Sequence, residues 1–95
     1  MARKIRFSDK ALIELESTSR YIAKDSAYYA RLFIQRVLRI VRSLNQFPES
    51  GRVVPEYNTP QISEKFLGHD RIVYRIHPEW IEIVAICHGS KLLKL

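Results

Sequence analysis

Hydrophobic and polar residues recur along the chain at two different spacings, one typical of strands and one typical of helices. Residues Lys4 to Phe7 alternate basic and apolar side chains, which predicts a short strand. Ser8 then supplies an N-cap for a helix from Asp9 to Lys24, because a serine oxygen can accept a hydrogen bond from a free amide of the first turn. The buried stripe of this helix is predicted at apolar positions of helical spacing: Leu12, Leu15 and Ile22.

A second helix is predicted from about Ala27 to Gln46, with Ser26 as its cap. Its apolar positions form one buried stripe: Ala30, Phe33, Val37, Ile40, Val41 and Leu44. A polar row recurs every three or four residues on the outer side: Arg31, Gln35, Arg39 and Arg42. This basic row is either a solvated helix face or a surface that binds an anionic target, and the pattern alone leaves both interpretations open.

Three strand-like runs follow a loop from Phe47 to Pro60. They are rich in β-branched and aromatic residues and span Ile62 to Leu67, Arg71 to His77 and Trp80 to His88. The order of elements is therefore β-α-α-β-β-β. This order predicts a single α+β domain over residues 1–95, in which a two-helix hairpin packs on one face of an antiparallel sheet.

The last two strands are expected to pair across a turn at Pro78-Glu79. The resulting register sets Arg75 opposite Glu82, so these two side chains are predicted to form an ion pair. One face of this hairpin is then wholly apolar, with the pairs Ile76 and Ile81, Tyr74 and Ile83, and Ile72 and Ala85.

The same register places Arg71 opposite Ile86 on the other, open face, with His88 on the diagonal. Because no acidic residue stands opposite it, Arg71 is a candidate contact for a phosphate or another anion. A three-residue turn at Gly68-His69-Asp70 would bring Phe66 to the apolar face. The open face would then present a basic cluster of Lys65, Arg71, Arg75 and His88.

Composition is that of an ordinary globular protein, since 46% of the 95 residues are hydrophobic and 27% are charged. Sixteen Lys and Arg against ten Asp and Glu, a formal net charge of +6, predict an anionic partner. No apolar run approaches the roughly 20 residues of a membrane span. A single cysteine, Cys87, offers neither a disulfide framework nor a clustered metal site, so we expect no metal or cofactor and a reducing, cytoplasmic location.

Four motifs occur in a fixed order along the chain: "YIA" after the first helix, "FPESGRVVPE" after the second, "RIVYRI" in the penultimate strand and "HG" after the last. Together they resemble the RelE/ParE superfamily of toxins from type II toxin-antitoxin modules, and most closely its ParE-like members. The resemblance implies a small basic toxin that is neutralised by a cognate acidic antitoxin, in a complex such as a heterotetramer.

The superfamily divides by target, and the resemblance leaves two functions open. Characterised ParE members inhibit DNA gyrase without hydrolysing RNA, whereas RelE-like and YoeB-like members are ribosome-dependent mRNA endonucleases. We expect gyrase inhibition, because only Lys65 stands near the loop where RelE members carry closely spaced lysines. The residues predicted to contact the target or a nucleic acid are Arg31, Arg39, Arg42, Lys65, Arg71 and Lys91.

For the endonuclease alternative, the resemblance to YoeB-like enzymes matches three residues to the family's catalytic site. It implies that Glu56 accepts the proton of a 2′-hydroxyl, Arg71 stabilises the charged phosphorane and His88 protonates the leaving 5′-oxygen. The loop that delivers Glu56 to the sheet is stiffened by two prolines, and its Val53-Val54 pair is expected to insert into the core.

Overall fold

The computed structural model describes residues 4–95, and its elements follow the predicted order with one additional short strand. Two helices follow the first strand: α1 (Asp9–Ala23) and α2 (Ala27–Ser43). Five strands form one sheet: β1 (Lys4–Phe7), β2 (Arg52–Val53), β3 (Ile62–Leu67), β4 (Asp70–Ile76) and β5 (Trp80–His88). The α+β class and the helical hairpin are confirmed, while residues 1–3 of the predicted domain lie outside the described residues.

The sheet is mixed, which corrects the prediction of a purely antiparallel one. Its strand order is β1-β5-β4-β3-β2, and β1 runs parallel to β5 while the other neighbours are antiparallel. A parallel pair needs a long connection between its strands, and the helical hairpin provides the first part of that connection. The alternation in Lys4–Phe7 predicts a strand but carries no information about its direction.

Both helices begin at their predicted caps. The Ser8 hydroxyl accepts a hydrogen bond from the Ala11 amide at 3.0 Å, and the Ser26 hydroxyl accepts one from the Tyr29 amide at 3.2 Å. In α1 the fully buried residue is Ala11, whereas Leu12 is 48% exposed. In the first turn of α1 the buried position is therefore one residue earlier than predicted, at Ala11 instead of Leu12.

Both faces of the sheet are covered. On the helix face, which packs against α1 and α2, the core includes Ile72, Tyr74, Ile81, Ile83 and Ile86. On the far face a second apolar cluster consists of Val54, Ile62, Val73, Val84, Ala85 and Leu93. The face predicted to be open is thus a second core. Val54 inserts into it as expected, whereas Val53 is 40% exposed.

The turn between β3 and β4 comprises Gly68 and His69 rather than three residues. Gly68 has a φ of +59°, the left-handed conformation that suits the first position of a two-residue hairpin turn. A change of one residue in a hairpin turn moves every side chain of one strand to the opposite face. Phe66 consequently pairs with Arg71 on the far face, and Lys65 moves to the helix face.

The pairing of β4 with β5 contains a β-bulge that the predicted register lacks. The predicted pairs hold as far as Tyr74 and Ile83, but Val73 then pairs with Ala85, one residue further along β5. A bulge adds one unpaired residue to one strand and so reverses the faces of the residues beyond it. The predicted pairs beyond this point are therefore wrong, and His88 is turned to the helix face.

The edge of β5 next to the bulge is covered by the beginning of α1. The Ser8 amide donates to the Ile83 carbonyl at 2.9 Å, where β1 ends. Further along, the Ile86 amide donates to Glu14 Oε1 at 2.9 Å. A helix carboxylate thus replaces the missing strand partner of this amide.

Replacing Glu14 by alanine is expected to lower the free energy of unfolding by about 1–3 kcal/mol, because the Ile86 amide would lose its partner. Glu16→Ala is a matched control, since Glu14 and Glu16 each form an ion pair with a basic residue four positions away on α1. Urea denaturation followed by circular dichroism measures both losses. Equal losses in the two variants would mean that the bond to Ile86 contributes nothing.

The segment before β2 is fastened to β4 by Tyr74. The Tyr74 hydroxyl donates to the Pro48 carbonyl at 2.8 Å and accepts a hydrogen bond from the Gly51 amide at 3.0 Å. A Cβ atom on Gly51 would stand 2.5 Å from both the Glu64 carbonyl oxygen and the Tyr74 hydroxyl, so this close approach requires glycine. The anchor fixes the start of the segment that carries Glu56.

Candidate functional site

Arg71 lies at the centre of an ion-pair network on the far face. Its Nε donates to Glu64 Oε1 at 2.6 Å, and its two terminal nitrogens donate to the two oxygens of Glu56 at 2.8 Å each. The Arg71 side chain is 4% exposed and that of Glu64 is fully buried. Arg52 completes the network by donating to Glu64 Oε2 at 2.6 Å. No acidic residue stands directly opposite Arg71 in the sheet, as predicted, but Glu64 and Glu56 reach it from other positions. The two arginines of the network balance its two glutamates.

The network also holds the segment that follows β5. The Leu93 amide donates to Glu56 Oε2 at 3.2 Å, and Arg71 Nη1 donates to the Lys91 carbonyl at 3.5 Å. The Leu93 side chain is buried in the second apolar cluster. Arg71 and Glu56 therefore fasten two connecting segments onto the far face, which is a structural role.

The bidentate bond from Arg71 lowers the pKa of the Glu56 carboxyl from its ordinary 4.5 to about 2. Glu56 is in turn the main reason why the pKa of Arg71 rises above its ordinary value. A general base is most effective when its pKa lies near the operating pH. Glu56 is therefore a weak base, and both of its oxygens are already engaged.

Glu56→Gln is expected to be less stable than the wild type at neutral pH, with a difference that shrinks in acid. A carboxyl whose pKa falls on folding contributes stability above its unfolded pKa, and loses that contribution as the pH approaches its folded pKa. For Glu56 this window runs from 4.5 down to about 2. Denaturant titrations across this pH range measure the difference between variant and wild type.

The exposed Glu49, which precedes β2, offers a matched control for this titration. Glu49→Gln makes the same change of charge in a neighbouring segment, but it removes neither of the hydrogen bonds that Arg71 donates to Glu56. A Glu56→Gln difference that stays constant down to the acid end of the window would contradict the assignment.

His88 does not join Arg71 and Glu56. The bulge sets it opposite Asp70 on the helix face, whereas Arg71 points to the far face. The His88 ring lies near the His69 ring, with 6.2 Å between their centroids. The predicted catalytic triad is thus divided between the two faces of the sheet, because its assembly depended on a register without a bulge.

Arg75 stands opposite Glu82 in the sheet, as predicted, but the two do not form the predicted ion pair. Glu82 Oε1 instead lies 3.1 Å from His77 Nε2. The His77 ring in turn stacks on Trp80, with 4.2 Å between ring centroids. The register of this pair is therefore correct, while the expected contact is wrong.

The residues predicted to contact a target lie in four separate places. Lys91 is exposed in the segment after β5, Lys65 is half-buried on the helix face and Arg71 is buried in the network described above. The remaining three, Arg31, Arg39 and Arg42, are exposed along α2. The predicted basic cluster of Lys65, Arg71, Arg75 and His88 does not form, because the hairpin turn and the bulge separate its members.

The helix α2 contains no acidic residue. Four exposed arginines lie on it, and we call them the arginine surface: Arg31, Arg36, Arg39 and Arg42. None of the four forms an ion pair with a carboxylate among residues 4–95. Their guanidinium donors are therefore free to contact another molecule.

Two parts of these sites were missed by sequence reasoning. Glu64, the buried partner of Arg71, would have been found if Gly68-His69 had been interpreted as a two-residue turn, because that register brings Glu64 to the face of Arg71. Arg36 lies outside the predicted row, and its exposure depends on how α2 is rotated against the sheet. No signal in the local pattern of the sequence determines that rotation.

Within the range 4–95, no group of three or more His, Cys, Asp and Glu side chains is arranged to hold a metal ion. No helix described there is long and apolar enough to cross a bilayer. Burial raises the pKa of the Cys87 thiol, so this residue is a poor nucleophile at neutral pH.

The fold and charge distribution define a small basic α+β protein with a helical hairpin on a five-stranded sheet. The family model described as "ParE toxin of type II toxin-antitoxin system, parDE" matches residues 5–93, and the chain belongs to this family. It is thus a toxin of a type II toxin-antitoxin system, which confirms the resemblance to ParE-like members of the RelE/ParE superfamily.

A solved structure shares this fold at low sequence identity. The structure titled "Chromosomal ParDE TA system from P. aeruginosa" matches with a TM-score of 0.75 and 18% identity, over 94% of this chain and 98% of that chain. No curated protein sequence matches this chain.

Proposed function

We propose that this toxin arrests growth by binding DNA gyrase in the cytoplasm, and that a cognate acidic antitoxin neutralises it. The observation that carries the gyrase proposal is the arginine surface of α2, whose four cations have no acidic partner among the described residues. Arginine is enriched among the residues that dominate binding energy at protein interfaces. Binding, rather than bond cleavage, would then be the basis of toxicity.

The far-face network supports an inhibitor over an enzyme. Cleavage of RNA through its 2′-hydroxyl needs a base, a cation for the phosphorane and an acid within reach of one phosphate. Arg71 already donates to Glu64 and to both oxygens of Glu56. An mRNA endonuclease remains the alternative, but it would require this network to open and His88 to change face.

The antitoxin part of the proposal rests on charge and on exposed apolar side chains. The toxin has a net charge of +6, which an acidic partner would complement. Large apolar side chains are exposed on α1, where Ile13 is 65% exposed, and near the β2 edge, where Phe66 is 47% exposed. An acidic segment that is disordered when free could fold across such surfaces.

Two reactions run side by side test the target. Purified gyrase supercoiling a plasmid, with and without this protein, is compared with mRNA cleavage on programmed ribosomes. We expect supercoiling to be inhibited in a dose-dependent manner and the mRNA to stay intact. Cleaved mRNA together with unaffected supercoiling would overturn the gyrase proposal in favour of the endonuclease.

Co-expression tests the antitoxin. The cognate acidic protein should restore growth and raise the melting temperature of the purified toxin, since a ligand that binds only the folded state stabilises it. If neither growth nor melting temperature changes, the proposed neutralisation is wrong.

A further inference from the structure

A cavity of about 430 Å³ opens between α2, the turn from β3 to β4 and the end of β5. We call it the turn cavity. Phe33 and Leu67 contribute apolar surface to it, and Phe33 is only 8% exposed. Its polar and aromatic lining comprises Tyr29, Arg36, His69, Asp70 and His88. Small-molecule sites have volumes of roughly 300–1,000 Å³, so the space suits one small ligand or one residue of a polymer.

Three nitrogen-bearing side chains line the turn cavity from different elements. Arg36 comes from α2 and makes no hydrogen bond or ion pair with a residue in the described part of the chain. His69 comes from the hairpin turn and His88 from the end of β5, and their rings are inclined by only 22°. Such a set offers several donors to an anion, of which the guanidinium is permanently charged.

The remaining lining residues favour a ligand that also has a planar, partly apolar portion. Tyr29 is 61% exposed at the cavity, and it can cover one side of a planar ring. Asp70 is the single carboxylate among the lining residues of this part of the chain. It can accept a hydrogen bond from an N–H group of the ligand, and burial raises its pKa.

We propose that the turn cavity binds one nucleotide of a single-stranded nucleic acid, with the base between Tyr29 and Asp70 and the phosphate toward Arg36, His69 and His88. The proposal does not depend on gyrase as the target. It requires neither cleavage nor the far-face residues Glu56 and Arg71.

The arginine surface extends the site beyond one nucleotide. Arg36 belongs both to the turn cavity and to the arginine surface of α2, a helix without acidic residues. Proteins that bind single strands combine a cationic track for the backbone with aromatic side chains for the bases. An acidic peptide could also contact these cations, but its carboxylates would lie near the Asp70 carboxylate and could not donate a hydrogen bond to it.

Fluorescence anisotropy with a short labelled single-stranded oligonucleotide, as RNA and as DNA, tests binding. Tyr29→Ala should weaken binding about tenfold, the size of effect seen when a stacking side chain is removed. Tyr21→Ala is the matched control, since Tyr21 is exposed to a similar extent, at 65%, but lies outside the cavity. Arg36→Gln should also weaken binding, and more than Lys94→Gln, which removes one exposed charge elsewhere.

A second measurement uses the wild-type protein and so does not depend on how the variants fold. In NMR titrations with uridine monophosphate, the imidazole signals of His69 and His88 should shift, while those of His77 stay unchanged. Uridine without phosphate should produce a smaller shift of the two cavity histidines. This comparison separates binding in the turn cavity from general attraction of an anion to a basic protein.

Three results would overturn the proposal. The first is an absence of shifts at His69 and His88 with uridine monophosphate. The second is equal weakening by Tyr29→Ala and Tyr21→Ala, which would indicate attraction to overall charge. The third is an acidic peptide whose binding depends on Tyr29 while oligonucleotide binding does not. Failure of gyrase inhibition would leave all of these outcomes unaffected, so the two proposals fail separately.

Discussion

Arg71→Ala is expected to lower the free energy of unfolding by about 3–5 kcal/mol, because removing one member of a buried ion pair leaves an uncompensated charge. Glu64 would stay fully buried without its Arg71 partner, and Glu56 would lose the two hydrogen bonds that Arg71 donates to it. Domains of this size have a total stability of about 5–15 kcal/mol, so the variant would keep only a fraction of it. Urea denaturation followed by circular dichroism measures the loss.

Arg75→Ala is the matched control, because Arg75 lies on the same strand and face but forms no ion pair with a residue in the range 4–95. Its effect should stay within about 0.5 kcal/mol, as for most surface substitutions. Similar losses in the two variants would contradict the structural role of the network. An Arg71→Ala variant that also lost toxicity would be explained by unfolding, so Arg71 alone cannot distinguish a catalytic role from a structural one.

Glu64→Gln examines the same network from its acidic side. It keeps the shape of the side chain but removes the charge that balances Arg71 and Arg52. Because hydrogen bonds to charged groups are stronger than neutral ones, this variant should be intermediate between Arg71→Ala and the wild type. The comparison separates the contribution of charge from that of packing.

Local signals in the sequence determine much of this fold. The caps at Ser8 and Ser26 and the periodic apolar stripes suffice to predict two helices within a few residues of their ends. The pairing of Ile76, Arg75 and Tyr74 with residues of β5 follows from the turn that precedes β5. Such features depend on neighbours in the chain, which a single sequence displays directly.

The errors concern the positions of strands relative to one another. One residue fewer in the β3 to β4 turn and one more residue in β5 each reverse the faces beyond them. These two changes bring Glu64 to Arg71 and separate His88 from it. The bulge lies close to Ile86, whose amide is bound by Glu14 from 72 residues earlier in the chain, and such a distant contact leaves no mark in the local alternation of β5. The predicted site was therefore more sensitive to register than the predicted fold.

The arginine surface of α2 gives the prediction with the largest functional effect, and it rests on the proposed gyrase target. Replacing Arg31, Arg39 and Arg42 together by glutamine should weaken gyrase inhibition by about 30-fold or more, since one dominant interface residue is worth about 2 kcal/mol or more. Glutamine is nearly as good a helix former as arginine, so the helix should persist. Half-inhibitory concentrations in the supercoiling assay measure the loss. A control variant removes three other exposed positive charges: Lys4, Lys24 and Arg6.

Variants of Glu56 and His88, two members of the predicted catalytic triad, test the endonuclease alternative in the same experiment. Glu56→Gln and His88→Ala should retain growth arrest if binding carries toxicity, because neither residue lies on α2. Under the endonuclease alternative each would lose about 10²-fold or more in rate, the usual cost of removing a catalytic base or acid. Survival after induction, with circular dichroism to verify folding, reports both arms. Full toxicity in the arginine variant, with loss in both triad variants, would replace gyrase by the ribosome as the target, because chemistry on the sheet would then matter more than charge on the helix.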